Sequence, residues 1–420
     1  MKFTKMSLVA ALLVGSSAFA IENTKVSGSA SLYYQTISGG ANGADMFNKD
    51  ASAADAGVNL NLTTDLTKND FVTVSAGAGA TVLSTLGLEN NLVSGVFGGA
   101  HTATAGTGAS YASALGGAKV EDAAWLNEAW IAATAGKTTL KLGRMELDTP
   151  LAFTEKWSIE KNTFESIVAI NTDIPDTVLV GAYVGNGTET FGQNAQSNVS
   201  ALGLAAAGVV NGDGKFTTYG TNGAYAAGVI NNSWKPLTVQ AWYYNVVQLV
   251  DAYWLQADFN MDGILAGAQY TAATVKDGDA DNVYSVMLGY EMKDTFTVKL
   301  AYSAVNDSGS LGYAGFNTAT ATATAQSKLY TEAWWNYGVV TKADTQAFNL
   351  TVEAPIKDIV DLGLYATVAS TSVDDVNDLT EITMTASHSF GPLDATAALI
   401  YADRNTDETG TVQAYLTYNF

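Results

Sequence analysis

The stretch Thr411-Val-Gln-Ala-Tyr-Leu-Thr-Tyr-Asn-Phe420 alternates strictly: Val412, Ala414, Leu416, Tyr418 and Phe420 share one face, and Thr411, Gln413, Tyr415, Thr417 and Asn419 the other. Side chains repeat every two residues along a strand, and about 9 to 11 tilted residues cross a bilayer. One apolar and one polar face on such a strand therefore predict a lipid-facing wall around a wet interior. The pattern recurs upstream. Phe296, Val298, Leu300 and Tyr302 alternate with Thr297, Lys299, Ala301 and Ser303, and Ile382, Met384, Ala386 and Phe390 oppose Glu381, Thr383, Thr385, Ser387 and Ser389.

Tight connections are expected near 65–69, 134–137, 172–176, 234–236, 260–262, 291–294, 355–358 and 390–393. Four of the five prolines, Pro175, Pro236, Pro355 and Pro392, fall in them, where their missing N–H costs no ladder bond. Longer stretches rich in Gly, Ala, Thr and Asx alternate with these turns, notably 36–55, 81–122, 145–163, 186–221, 272–281 and 305–343, with shorter ones near 248, 371–378 and 403–410. Eight turns and nine loops imply an all-β, transmembrane antiparallel barrel of about 18 strands. The count carries a margin of about two strands, because Leu329 to Trp335 could open a further strand pair inside the longest loop, and sixteen is the runner-up. Closing the sheet leaves no unpaired edge in lipid. Aromatics at Tyr33, Tyr34, Trp125, Trp130, Trp242, Tyr243, Tyr244, Tyr253, Trp254, Trp334, Trp335, Tyr418 and Phe420 are expected to form girdles at the head groups.

Lys2 and Lys5, the apolar run from Met6 to Val14, and Ala18-Phe19-Ala20 describe a secretory signal peptide over 1–20, leaving a single barrel unit over 21–420. The absence of cysteine in an exported chain excludes a disulfide framework and a thiolate metal site. Forty glycines, 47% apolar and only 15% charged residues fit a large β protein with one polar face. The mean hydropathy of +0.09 conceals the apolar half, since the two faces cancel in the average.

Enzymatic chemistry finds little support. His101 and His388 are the only histidines, so neither an imidazole-based triad nor a zinc site is expected, and no cofactor is implied. His388 shares the apolar parity of Met384 and Phe390. Asp277, Asp279 and Asp281 have calcium-loop spacing, but Asn282 stands where the turn glycine belongs and Leu288 replaces the bidentate acid. At most a weak divalent-cation contact, calcium being the candidate, is expected there. With 41 acidic against 20 basic residues, nucleic acid is excluded as a partner, and a negative mouth and lumen would concentrate cations.

The third long stretch stands apart from the repetitive strands. It runs Leu140-Lys-Leu-Gly-Arg144-Met-Glu-Leu-Asp-Thr-Pro-Leu151 and continues through Lys156-Trp-Ser-Ile-Glu-Lys-Asn-Thr-Phe-Glu165. Its Gly143-Arg144, Thr149-Pro150-Leu151 and Asn162-Thr163-Phe164 steps resemble the OprD-type substrate-channel porins. With the leader, acidity and length added, the chain is more closely similar to the major outer-membrane porins of Campylobacter-like bacteria. An aromatic end at Tyr418 and Phe420 also resembles the closing strand that the barrel-assembly machinery of the bacterial outer membrane reads.

The resemblance implies an eighteen-stranded barrel, usually a homotrimer in outer-membrane lipid, whose third loop folds inward to narrow the bore. Arg144, Glu146, Asp148, Glu155, Lys156, Glu160, Lys161 and Glu165 are then the candidate constriction residues, around an apolar Trp157, with Arg144 expected to face acids across the bore. OprD-type channels guide carboxylates along a basic ladder, whereas this chain has only two arginines, Arg144 and Arg404. The expectation is therefore a porin passing ions and small hydrophilic solutes, with cations preferred. A substrate-selective OprD-like channel and a secreted surface-layer or adhesin protein are the alternatives.

Overall fold

The computed structural model describes residues 22–40, 43, 45–48, 51–84, 95–96, 123–156, 159, 161–187, 216–218, 222–318, 325–357, 359–372, 378–404 and 407–420. The expected leader over 1–20 lies outside them. Eighteen antiparallel strands form a ring. In chain order they are β1 (Glu22–Gly39), β2 (Ser52–Lys68), β3 (Thr73–Ser84), β4 (Ala123–Ala135), β5 (Thr138–Met145), β6 (Phe164–Asn171), β7 (Thr177–Gly187), β8 (Ala224–Asn231) and β9 (Leu237–Val246). The second half comprises β10 (Val250–Met261), β11 (Ile264–Val275), β12 (Ala280–Met292), β13 (Phe296–Val305), β14 (Thr345–Ile356), β15 (Val360–Thr371), β16 (Leu379–Phe390), β17 (Leu393–Arg404) and β18 (Asp407–Asn419). Two-residue pairings at Gly95–Val96 and Thr217–Thr218 lie beside the ring. Residues 329–335 form no strand, so no pair is added inside the longest loop, and the ring holds eighteen rather than sixteen.

Each strand pairs with its chain neighbours, and β1 pairs with β18 from Ser29↔Asn419 to Gly39↔Thr409. This seam continues past the last strand, because Gly28 N–H donates to Phe420 O at 2.8 Å and Phe420 N–H to Gly28 O at 3.0 Å. A β-carbon at position 28 would sit 2.6 Å from the Phe420 ring and 2.4 Å from the Asn59 carbonyl, so only glycine lets the ring lie against the strand. The short turns use the residues their geometry demands. In the two-residue connection between β10 and β11, Asp262 and Gly263 both take positive φ, 54° and 83°, matching the twist of the flanking strands.

Period-two alternation places the apolar set outside. On β12, Tyr284, Val286, Leu288 and Tyr290 are exposed on the outer wall while Ser285 is fully buried within the lumen. On β18, Leu416 and Tyr418 point out, with Phe420 just beyond the strand on the same face, and Thr411 and Gln413 point in. Outer aromatics gather at two levels. Toward the long loops lie Tyr183–Tyr225, Tyr243–Tyr253 and Tyr302–Phe348, with ring centroids 5.0, 5.2 and 4.8 Å apart. Toward the short turns lie Trp234–Phe259 and Tyr290–Phe296, at 5.9 and 6.3 Å. Such girdles bracket an apolar band.

Several aromatics expected in the girdles turn inward instead. In Trp242-Tyr243-Tyr244 only the middle residue reaches the outer wall, and Tyr33, Trp242, Tyr244 and Trp254 are buried on the lumen side. The alternation requires it, since adjacent residues of a strand cannot share a face. Trp334 and Trp335 belong to the long loop between β13 and β14.

Candidate constriction of the barrel

Two of the long connections fold into the barrel. The segment 146–163, between β5 and β6, carries Leu147, Leu151, Ala152 and Phe153. These pack on the inward side of the wall, where Phe164, Val184, Tyr244, Val246, Trp254 and Ala273 make an apolar surface. Burying both sides together removes apolar area from water. The segment 306–344 enters from the far side through Leu311, Ala314, Phe316, Leu329, Ala333, Val339 and Val340. The two meet: Thr318 N–H donates to Leu151 O at 2.8 Å, and Phe153 N–H donates to Asn317 Oδ1 at 3.1 Å.

Carboxylates hold the second segment in place by accepting its backbone amides. Glu381, on β16, takes Trp335 N–H at 3.0 Å and Asn336 N–H at 2.8 Å. Asp281, on β12, takes Leu311 N–H at 2.7 Å and Gly312 N–H at 2.8 Å. Glu332 folds back on its own loop, accepting Ser327 N–H at 2.7 Å, Ala333 N–H at 3.0 Å and Gly338 N–H at 3.2 Å. Burial pushes the Glu332 carboxyl up to about 7, against the downward pull of those donors. The Tyr330 hydroxyl donates to Asp258 on β10, and its ring lies against Gly267.

Between the two segments lies a cavity of about 610 Å³ lined by Glu146, Leu147, Asp148, Thr154 and Lys156 from one and Gln326, Trp334 and Tyr337 from the other. Its charges are paired. Lys156 Nζ is 2.5 Å from Glu146 Oε2, Lys161 contacts Glu146 Oε1 and reaches Glu128 Oε1 at 2.7 Å, and Lys328 contacts Asp148. Burial would raise the Glu146 carboxyl, but the two lysines outweigh it and hold the group below its usual range. Burial likewise opposes the charge on Lys161, and Glu128 and Glu146 raise it nonetheless. Lys141 lies over Trp130 at 4.1 Å on the inner face of β5. Nine strands further round the ring, Glu353 on β14 accepts the Tyr365 hydroxyl at 3.1 Å. Both signs of charge therefore face the interior, Lys141 on β5 and Glu353 on β14 among them.

Of the residues expected at the constriction, Glu146, Asp148 and Lys156 line the cavity. Lys161 is largely covered, and Glu155 is buried where the two segments touch. Glu160 and Trp157 lie outside the described residues. Arg144 and Glu165 are not on the bore. Leu140 and Leu142 are exposed on the outer wall, and Arg144 continues their parity, pairing laterally with Glu165. Its Nε donates to Glu165 Oε1 at 2.8 Å, its Nη1 to Leu126 O at 3.1 Å, and its guanidinium lies 4.1 Å from the Phe216 ring. Asp281 spends its carboxylate on the Leu311 and Gly312 backbone amides. Among the described residues, no three His, Asp or Glu side chains are grouped to hold a metal ion. His388 packs on Phe390 at 4.4 Å, with the parity expected.

No protein-family model matches the chain, and no curated protein does. Solved structures do. The Pseudomonas aeruginosa protein OccK9 (OpdG) superimposes with a TM-score of 0.71 at 12% identity, covering 95% of this chain and 99% of that one. OccK1 (OpdK) gives 0.69 at 11% identity over 95% and 99%. OccD3 (OpdP) gives 0.66 at 13% identity over 96% and 92%. The fold is that of the Occ barrels. At such identities the likeness is one of architecture, and the residues of the bore are this chain's own.

Proposed function

We propose that the protein is a channel of the bacterial outer membrane through which ions and small hydrophilic solutes diffuse passively, with a modest preference for cations. The observation that carries this reading is the open, charge-lined space left between two inward loops inside a closed, apolar-walled ring. Such a wall satisfies every backbone group within the sheet, and a polar bore is its functional counterpart. The likeness to the Occ barrels supports the same location and the absence of catalysis. For the sign of selectivity, Asp148 is far more exposed than the lysine it pairs with, 89% against 33%, and acids outnumber bases twofold along the chain. A focused negative potential concentrates cations. A homotrimer and assembly through the terminal aromatic belong to the same proposal.

The test is purified protein in a planar bilayer under a salt gradient. Stepwise conductance with a cation-selective reversal potential is expected. Absence of steps would remove the channel reading, an anion-selective potential would remove the charge argument, and saturable block by one solute would favour a substrate-selective channel.

A further inference from the structure

We propose that Asn317 is a positioning residue that sets the width of the bore by keying the loop 306–344 to the loop 146–163; this rests on the channel reading above. Asn317 is fully buried. Its Oδ1 accepts Phe153 N–H at 3.1 Å, while its Nδ2 donates to Phe153 O at 2.9 Å and to Glu155 Oε1 at 2.9 Å. The side-chain amide thus reads both backbone groups of one residue, as a neighbouring strand would. Its own N–H is fixed by Gln326 O at 2.7 Å, and Gln326 N–H returns to Glu155 Oε1 at 3.3 Å. One residue thereby ties a chain segment to another that is 164 positions away.

The other ties are fewer or more exposed. The strand-like contact of Thr318 with Leu151 is its immediate neighbour and depends on the same placement, and the Lys328–Asp148 pair lies at the open surface of the bore, where an ion pair contributes little. Because the cavity is walled by one segment on each side, any separation of the two widens it.

Asn317→Asp tests this with almost no change of shape. It keeps the acceptor for Phe153 N–H but turns both donor contacts into repulsion, toward the Phe153 carbonyl and the Glu155 carboxylate. Single-channel records of the full chain at neutral pH should show a wider state whose occupancy rises about tenfold or more relative to the unmutated channel. Acidification should restore the narrow state as the introduced carboxyl is protonated. Combining Asn317→Asp with Glu155→Gln exchanges amide and carboxylate and should move the occupancy back toward the unmutated value.

Asn317→Ala, which removes the donors without adding charge, carries the same expectation at neutral pH but recovers with acid only as far as protonation of Glu332 in the same loop tightens it, less than the aspartate variant, and it stands in should the aspartate variant fail to fold. Heat-modifiable migration on a gel shows that each barrel has closed. Folded Asn317→Asp and Asn317→Ala channels with unchanged conductance, noise and solute cut-off would overturn the keying role. An unmutated chain that gives no steps at all would instead overturn the channel reading beneath it.

Discussion

Glu381 and Asn336 meet twice on one carboxylate oxygen: Oε2 accepts the Asn336 backbone N–H at 2.8 Å and its side-chain Nδ2 at 2.7 Å. The barrel wall thus grips the inward loop through a buried acid. Charge-assisted bonds of this kind are roughly twice as strong as neutral ones. Glu381→Gln keeps the volume but leaves one amide facing N–H donors, an error that costs about 1–3 kcal/mol when buried. The expected result is a noisier open channel and easier proteolysis within 325–344, with the barrel itself still heat-modifiable.

The Glu332 carboxyl gives the loop a pH dependence of definite sign. Its folded value lies near 7, above the ordinary 4.5, so the packed state binds the proton more tightly than the released state. The associated stability is therefore fully present below about 4.5 and is lost as pH rises through 7. The loss amounts to up to roughly 3 kcal/mol across that window. Thermal denaturation in detergent should show a midpoint that falls between these pH values, and Glu332→Gln should flatten that slope.

Leu300 and Lys299 are adjacent residues of β13 that face oil and bore respectively, between the outer aromatics Phe296 and Tyr302. Leu300→Arg should lower folding stability into vesicles by about 2–4 kcal/mol, the usual effect of a cation on the lipid face at mid-depth. Lys299→Leu should change stability little and alter conductance instead. Equal losses for the two would contradict the assignment of faces.

Selectivity should follow the exposed charges of the bore. Asp148→Asn is expected to lower the cation-to-anion permeability ratio by a factor of about two to five, and Lys156→Gln to raise it. Reversal potentials across a salt gradient read both. Arg144→Ala, whose side chain lies on the outer wall, should leave the potential unchanged.

Strand order and turn positions were legible because alternation and proline placement are local properties. Even the outward placement of Arg144 is legible, since Leu140, Leu142 and Arg144 share one parity. The inward fold of 306–344 left no such trace. It depends on Glu381, Asp281 and Asn317 reaching partners tens to hundreds of residues distant, and no periodicity marks a carboxylate that accepts amides from another segment. Leu329, Trp334 and Trp335 are the available signal there, and they point to a strand pair.

The pairing of β1 with β18 carries a consequence for the order of events during biogenesis. The N-terminal strand is synthesised first and acquires one neighbour at once, yet its other edge must wait for residues 409–420. Until they are in place, that edge is a template with no occupant, exposed to mispairing with any other unpaired strand. A protected holding period, followed by closure in a single late step, is thus written into the ring's connectivity.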